Sequence, residues 1–265
     1  MKKLICSDID GTLLNADRQL SESTILEIGK LNLPFILISS RMPSAMKHLQ
    51  KDLGIENHPL VAYNGGLILV NSKVVQSTFI PYQVVEKIVS LNTNRLHLSL
   101  YHEDEWYAPK LDFWTEREMN NTKVEATIAP NEFALDLWRA QGIGAHKIMC
   151  MGDAALVDSF YHLLSDKFKS QLHLYRSKNT YIEIAPKAIS KKSAIEHLIT
   201  NEFDLNFEDV MSFGDNYNDI EMLKASGLGI AVGNAKDEVK KVANQVIGHA
   251  KEDGVAHFLS AYFKS

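Results

Sequence analysis

Asp8 and Asp10 lie in the segment Asp8-Ile9-Asp10-Gly11-Thr12-Leu13, directly after the apolar run Leu4-Ile5-Cys6. Strand spacing sends both carboxylates out of one strand end, and Gly11 lets the chain turn away behind them. Such a pair holds a divalent cation and offers one carboxylate as a nucleophile. If the electrophile is phosphorus, Asp8 attacks, a magnesium ion offsets its repulsion with the phosphate oxygens, and Asp10 is placed to protonate the leaving oxygen and then deprotonate water. Asp-Gly pairs also mark ordinary turns, so the sextet alone leaves a turn without chemistry open. Ser39 follows the apolar run Phe35-Ile36-Leu37-Ile38 and offers a hydroxyl at a strand end, although serines there also serve as caps. Gly214-Asp215-Asn216-Tyr217-Asn218-Asp219 follows Val210–Phe213. Asp215 is placed to close a metal site, with Asn218 and Asp219 about one turn on, where they orient ligands or touch phosphate. A calcium loop is excluded, because the alternating ligands and terminal Glu are missing.

The elements that must hold these residues fall into two rhythms. Residues 1–81 alternate strand and helix signals: Leu4–Ser7, a helix over Ser21–Leu31, Phe35–Ile38, a helix after Pro43, Pro59–Ala62 and a short hairpin arm at Leu67–Val70. From about Ser190 the same alternation returns, with a stripe at Ala194, Ile195, Leu198 and Ile199, then strands at Val210–Phe213 and Leu228–Val232. Continuous apolar strands between amphipathic helices predict a doubly wound, mostly parallel α/β sheet. Between them the pattern differs. Leu96–Tyr101 alternates at period two, which predicts a strand with one face toward polar surroundings, and Leu172–Ala185 reads as a hairpin. This predicts a core of residues 1–81 and 188–265 interrupted by an inserted α+β domain at 82–187.

Composition bounds the function. The 265 residues are 45% apolar, enough for two domains, and the net charge of -5 argues against a nucleic-acid surface. Cys6 and Cys150 lie in apolar runs and predict buried thiols, not a disulfide framework. The polar, acidic stretch reached by residue 8 and the absence of a long apolar run predict no signal peptide, no membrane span and a cytoplasmic protein. His97, His102, His146, His162 and His173 lack metal-ligand spacing and read as ordinary histidines.

Taken together, Asp-x-Asp-Gly-Thr-Leu at residues 8–13 and Gly-Asp-x-x-Asn-Asp at 214–219 resemble the signatures of the haloacid dehalogenase superfamily of phosphatases, specifically its Cof-type branch with a large inserted cap. The likeness extends to Ser39-Ser40-Arg41, where the family typically reads Thr-Gly-Arg, and to Asn64-Gly65-Gly66. It also covers Ala231–Ala235 and Asp253–Ala256 near the C-terminus. In Pro186-Lys187-Ala188-Ile189-Ser190-Lys191-Lys192 the resemblance aligns Lys191 as the cation pairing Asp8 and phosphate, with Lys187 and Lys192 as alternatives. It implies a Rossmann-like core and a cap that sets specificity. It implies catalysis by Asp8, Asp10 and Lys191, with Mg2+ on Asp8, Asp215 and the Asp10 carbonyl. Phosphate contacts fall to Ser39, Asn64, Gly65 and Asn218, and Asp219 stands behind the metal ligands. Arg41 either meets substrate or caps the core. The implied activity is hydrolysis of a small phosphorylated metabolite, a sugar phosphate or phosphorylated cofactor, through an aspartyl-phosphate. A phosphomutase uses the same intermediate. A receiver-type signalling module also does, but is a single compact domain, at odds with the long insert.

Overall fold

The computed structural model describes residues 2–264. The chain opens with β1 (Leu4–Ser7), α1 (Glu22–Gly29), β2 (Phe35–Ile38), α2 (Ser44–Leu53), β3 (Leu60–Ala62), β4 (Leu67–Val70) and β5 (Lys73–Ser77). β1, β2 and β3 are buried at every position, as strands covered on both faces must be. α1 starts at Ser21, whose hydroxyl accepts the Thr24 N–H.

A second group of elements follows: β6 (Ile80–Pro81), α3 (Tyr82–Leu91), β7 (His97–His102), β8 (Glu105–Ala108), α4 (Phe113–Thr122), β9 (Thr127–Ile128), α5 (Asn131–Gln141), β10 (Gly144–Ala145), β11 (Lys147–Met151), α6 (Ala154–Phe168), β12 (Leu172–Lys178) and β13 (Tyr181–Pro186). The chain then returns through α7 (Lys191–Leu198), β14 (Val210–Gly214), α8 (Ile220–Ala225), β15 (Leu228–Ala231), α9 (Asp237–Lys240), β16 (Gln245–Val246) and α10 (Gly254–Lys264).

The larger sheet runs in the order β16-β15-β14-β1-β2-β3-β4-β5. Pairing is parallel from β16 to β3, and β4 returns antiparallel on β3. From β1 the chain winds outward one way to β2 and β3, and after β14 it winds the other way to β15 and β16. β1 and β14 are therefore the strands at which the winding reverses, and ligands of open α/β sheets bind at the carboxyl ends of such strands. Asp8 and Asp215 are the residues that follow those two ends.

By contacts the described residues form two compact units, one reaching Arg41 and comprising also Met46–Gln76 and the chain from Ser190, the other comprising Met42–Ala45 and Ser77–Ile189. The second unit holds the six-stranded sheet β12-β13-β11-β7-β8-β9, antiparallel except for the β8–β9 pair. One face packs Leu98, Leu100, Ile148, Cys150, Ile182 and Ile184 under α3, α5 and α6. The expectation of a polar-facing side on this strand is corrected here: all six residues of β7 are buried. Its polar side chains are enclosed within the unit. His97 meets Ser99 Oγ at 2.9 Å and Asp112 at 3.1 Å, and Tyr101 stacks on Trp106 with ring centroids 5.5 Å apart. Lys147 covers the Tyr101 ring at 4.6 Å. His97, His102 and His146 are thus core residues, and so are both cysteines. Among the described residues, no helix is long and apolar enough to cross a membrane.

Candidate active site

β1 delivers Asp8 to the site, and its N–H remains in the ladder, donating to Phe213 O at 3.0 Å. The Asp8 carboxylate is 8% exposed and spans two donors: Lys191 Nζ lies 2.5 Å from Oδ1, and Thr12 Oγ1 donates to Oδ2 at 3.1 Å. The Thr12 hydroxyl also lies 3.4 Å from Asp215 Oδ1, so it joins the two strand ends. Gly11 is required between them. Its φ is +85°, and a Cβ there would stand 2.5 Å from Asp215 Oδ2.

Of the three nearby lysines, the fold selects Lys191. It opens α7 behind the Ser190 cap, where Ser190 Oγ accepts the Ser193 N–H at 3.1 Å and Ser193 Oγ accepts the Ser190 N–H at 2.9 Å. Its ammonium is fully buried and bonds Asp219 Oδ1 at 2.6 Å as well as Asp8. Lys187 instead donates to Lys169 O at 2.8 Å. Asp219 is equally buried, and its second oxygen accepts the N–H groups of Asp215 and Asn216 at 2.9 and 3.0 Å. It fixes both the lysine and the loop after β14.

The carboxylates of Asp8, Asp215 and Asp219 offer oxygens that all lie within 4.8 Å of one another. Burial, reinforced by Asp219 and Asp215, pushes the Asp8 carboxyl well above the usual range despite Lys191. Burial and then the charge of Asp219 push Asp215 up to about 6. Burial opposes charge on Lys191, but Asp219 and Asp8 hold its ammonium above the ordinary lysine range. Three carboxylates against one ammonium leave an excess of negative charge that a hard divalent cation would neutralise, and the donors are all oxygen. The residues therefore fit a magnesium-type ion. Asp219 accepts three hydrogen bonds, against two at Asp8 and one at Asp215, which leaves more lone-pair capacity for a cation on Asp8 and Asp215.

Asp10 stands apart from that cluster. Arg41 donates from Nε to Oδ2 at 2.7 Å and from Nη2 to Oδ1 at 2.8 Å, and Arg18 Nη2 donates to Oδ1 at 2.9 Å. Burial would raise its carboxyl, but these guanidiniums, Arg41 foremost, hold it below the ordinary range. Arg41 is thereby an Asp10 partner, the role that residue spacing left open.

The remaining candidates meet in a second loop layer. Ser39 is buried; its Oγ accepts the Arg41 N–H at 3.3 Å, and its carbonyl accepts the Asn64 N–H at 2.8 Å. Asn64 has φ 55°, a conformation asparagine tolerates, and its Oδ1 accepts from Asn218 Nδ2 at 3.1 Å. Gly65 has φ +105°, and a Cβ there would stand 2.7 Å from Ser190 O, so the loop passes directly against the cap of α7. Sequence reading missed three contributors: Thr12, Arg18, and Asn234, whose Nδ2 donates to Gly11 O at 2.7 Å and whose Oδ1 accepts the Ala250 N–H at 2.8 Å. Thr12 and Asn234 lie inside the quoted motifs, which was the available signal.

A doubly wound core carrying this constellation at its reversal point defines a class. The profile of the haloacid dehalogenase-like hydrolase family matches residues 5–259, and the chain belongs to that family. Within it, the protein is a phosphatase of the Cof type. A Haemophilus influenzae relative is 34% identical over 271 residues, covering 99% of each chain. The 5-amino-6-(5-phospho-D-ribitylamino)uracil phosphatase YitU of Bacillus subtilis is 29% identical over 272 residues, covering 98% of this chain and 97% of its own. The crystal structure of a haloacid dehalogenase-like hydrolase from Bacteroides thetaiotaomicron superposes with a TM-score of 0.90 at 27% identity, covering 99% of this chain and 100% of that one.

Proposed function

We propose that the protein is a magnesium-dependent phosphomonoester hydrolase that acts on a small phosphorylated metabolite through phosphorylated Asp8. The observation that carries this reading is the buried Asp8 carboxylate between Lys191 and Thr12, inside a cluster of three carboxylates. The relative YitU, named for its action on a phosphorylated ribitylaminouracil, supports a metabolite-sized substrate.

Asp8 Oδ attacks phosphorus and the ester oxygen leaves with the P–O bond pair, giving an acyl phosphate. Lys191 stays charged and draws the nucleophile and a phosphate oxygen together, while Asp219 keeps it from swinging away. Asp8 and Asp215 would hold the cation, which when bound neutralises the repulsion between carboxylate and phosphate. Ser39, Asn64, Gly65 and Asn218 line the loops from which hydroxyl, amide and backbone N–H groups would reach the phosphate. In the second step Asp10, held ionised by Arg41, accepts a proton from the water that attacks phosphorus, and the bond between phosphorus and the Asp8 oxygen breaks to return the carboxylate and release phosphate. Its earlier task, protonating the leaving oxygen, requires a looser grip by the guanidiniums.

The test is phosphate release by wild type and Asp8→Asn, each with magnesium and after chelation. Activity is expected to vanish with chelator, to return with magnesium, and to fall by roughly a thousandfold or more in the variant, with an unchanged circular dichroism spectrum. Near wild-type turnover by Asp8→Asn would remove Asp8 from the mechanism.

A further inference from the structure

The Asp10 carboxylate is held by two guanidiniums. Arg41, with an 8% exposed side chain, already occupies both oxygens in a two-pronged contact. Arg18 adds a second guanidinium to an oxygen that Arg41 has taken, and its side chain is 51% exposed. The loop is built to put it there. Asn15 Oδ1 accepts the N–H groups of Asp17 and Gln19 at 3.0 Å each, and Asn15 N–H donates to Gln19 O at 2.9 Å. Arg18 N–H donates to Asn15 O at 3.1 Å, and Arg18 itself takes φ 60°, which a non-glycine residue adopts at an energetic cost.

The position of the Arg18 guanidinium, within hydrogen-bond distance of Asp10, is informative. Whatever oxygen Asp10 protonates must come within hydrogen-bond distance of its carboxylate, where Arg18 and Arg41 already are. Atoms two or three bonds beyond the leaving oxygen therefore fall within reach of the exposed guanidinium.

We propose that Arg18 is a specificity-determining residue that binds a second anionic group, carboxylate or phosphate, carried by the leaving group close to the ester oxygen. The preferred substrates are then phosphorylated hydroxy acids or diphosphates rather than esters of uncharged alcohols. This rests on the assignment of Asp8 and Asp10 above and narrows the substrate class it names.

The test measures inhibition constants against hydrolysis of p-nitrophenyl phosphate, in magnesium, for 2-phosphoglycolate, methyl diphosphate and the uncharged comparator 2-hydroxyethyl phosphate. Wild type is expected to bind at least one anionic probe better than the comparator. In Arg18→Ala that advantage is expected to shrink by about tenfold or more, the scale of one charged hydrogen bond, and Arg18→Lys is expected to restore part of it. The probe whose advantage collapses tells carboxylate from phosphate. An advantage within threefold of wild type for both probes in Arg18→Ala overturns the proposal, as does a wild-type preference for the uncharged ester. Asp8→Asn is run in parallel: if it keeps turnover, the underlying assignment falls, whereas lost turnover with an unmoved ratio removes only the role of Arg18.

Discussion

Lys191 is the residue on which the charge balance of the site turns. Its ammonium is fully buried between Asp8 and Asp219, so removing it strands two carboxylates in a low-dielectric interior. Lys191→Met is expected to abolish activity and, when one partner of a buried ion pair is deleted, to lower stability by about 3–5 kcal/mol. Urea denaturation of both proteins, without metal, measures this; an unchanged midpoint would mean that Asp8 and Asp219 discharge freely. The positions of Asp8, Lys191 and Asp215 were legible in the sequence because each directly follows a recognisable strand or sits inside a short motif. Arg18 was not, since its contact depends on a left-handed turn that residue spacing does not encode. The pairing of Arg41 with Asp10 was open for a similar reason: a long side chain has many possible destinations.

At the scale of elements, α7 is the one that aims the lysine, and its first turn rests on the reciprocal Ser190–Ser193 cap. Ser190→Ala is expected to lower stability by about 1 kcal/mol and to reduce turnover, because Lys191 is the first residue beyond the cap. Thermal melts and kinetics check the pair of effects; loss of stability with intact turnover would show that the carboxylates alone position the lysine. The parallel strands β1, β2, β14 and β15 were legible as unbroken apolar runs. β7 was misjudged because alternation normally marks a solvated face, whereas here that face is enclosed: His97 bonds Ser99, and the Tyr101 ring packs on Trp106 and under Lys147. β9 and β10 have two residues each and carry no periodicity to detect. α4 hides for another reason, with Phe113 65% exposed in its first turn.

For the whole molecule, stability should follow pH through His146. The ring is fully buried. Nδ1 accepts the Glu103 N–H at 3.1 Å, so the proton is on Nε2, which donates to Ser77 Oγ at 3.0 Å. Burial first, then His102, pulls its pKa down to about 3. An unfolded histidine titrates near ~6.5, so between about 6.5 and 3 the unfolded chain binds the extra proton and stability falls as pH falls, by up to about 1.4 kcal/mol per unit. Asp215, pushed up to about 6, acts oppositely between its unfolded value and that point. The difference between wild type and His146→Gln isolates the histidine. From pH 7 to pH 5 the denaturation midpoint of wild type should fall relative to that of the variant, and parallel shifts in both would exclude His146 as the source.

Cys6 lies in β1, two residues before Asp8, and Cys150 lies in β11. Both thiols are fully buried, and burial pushes Cys150 up to about 12 and Cys6 further still. Disulfide exchange needs the thiolate and an open path to it. The native protein should therefore ignore an aromatic disulfide reagent, and each labelling event records an excursion that unzips a central strand. The two sulfurs sit in separate compact units, so their labelling rates act as two clocks. Followed by mass spectrometry in mild denaturant, equal rates would mean that the chain opens in a single event. Faster labelling at Cys150 would mean that the inserted sheet opens while the strand behind Asp8 stays closed.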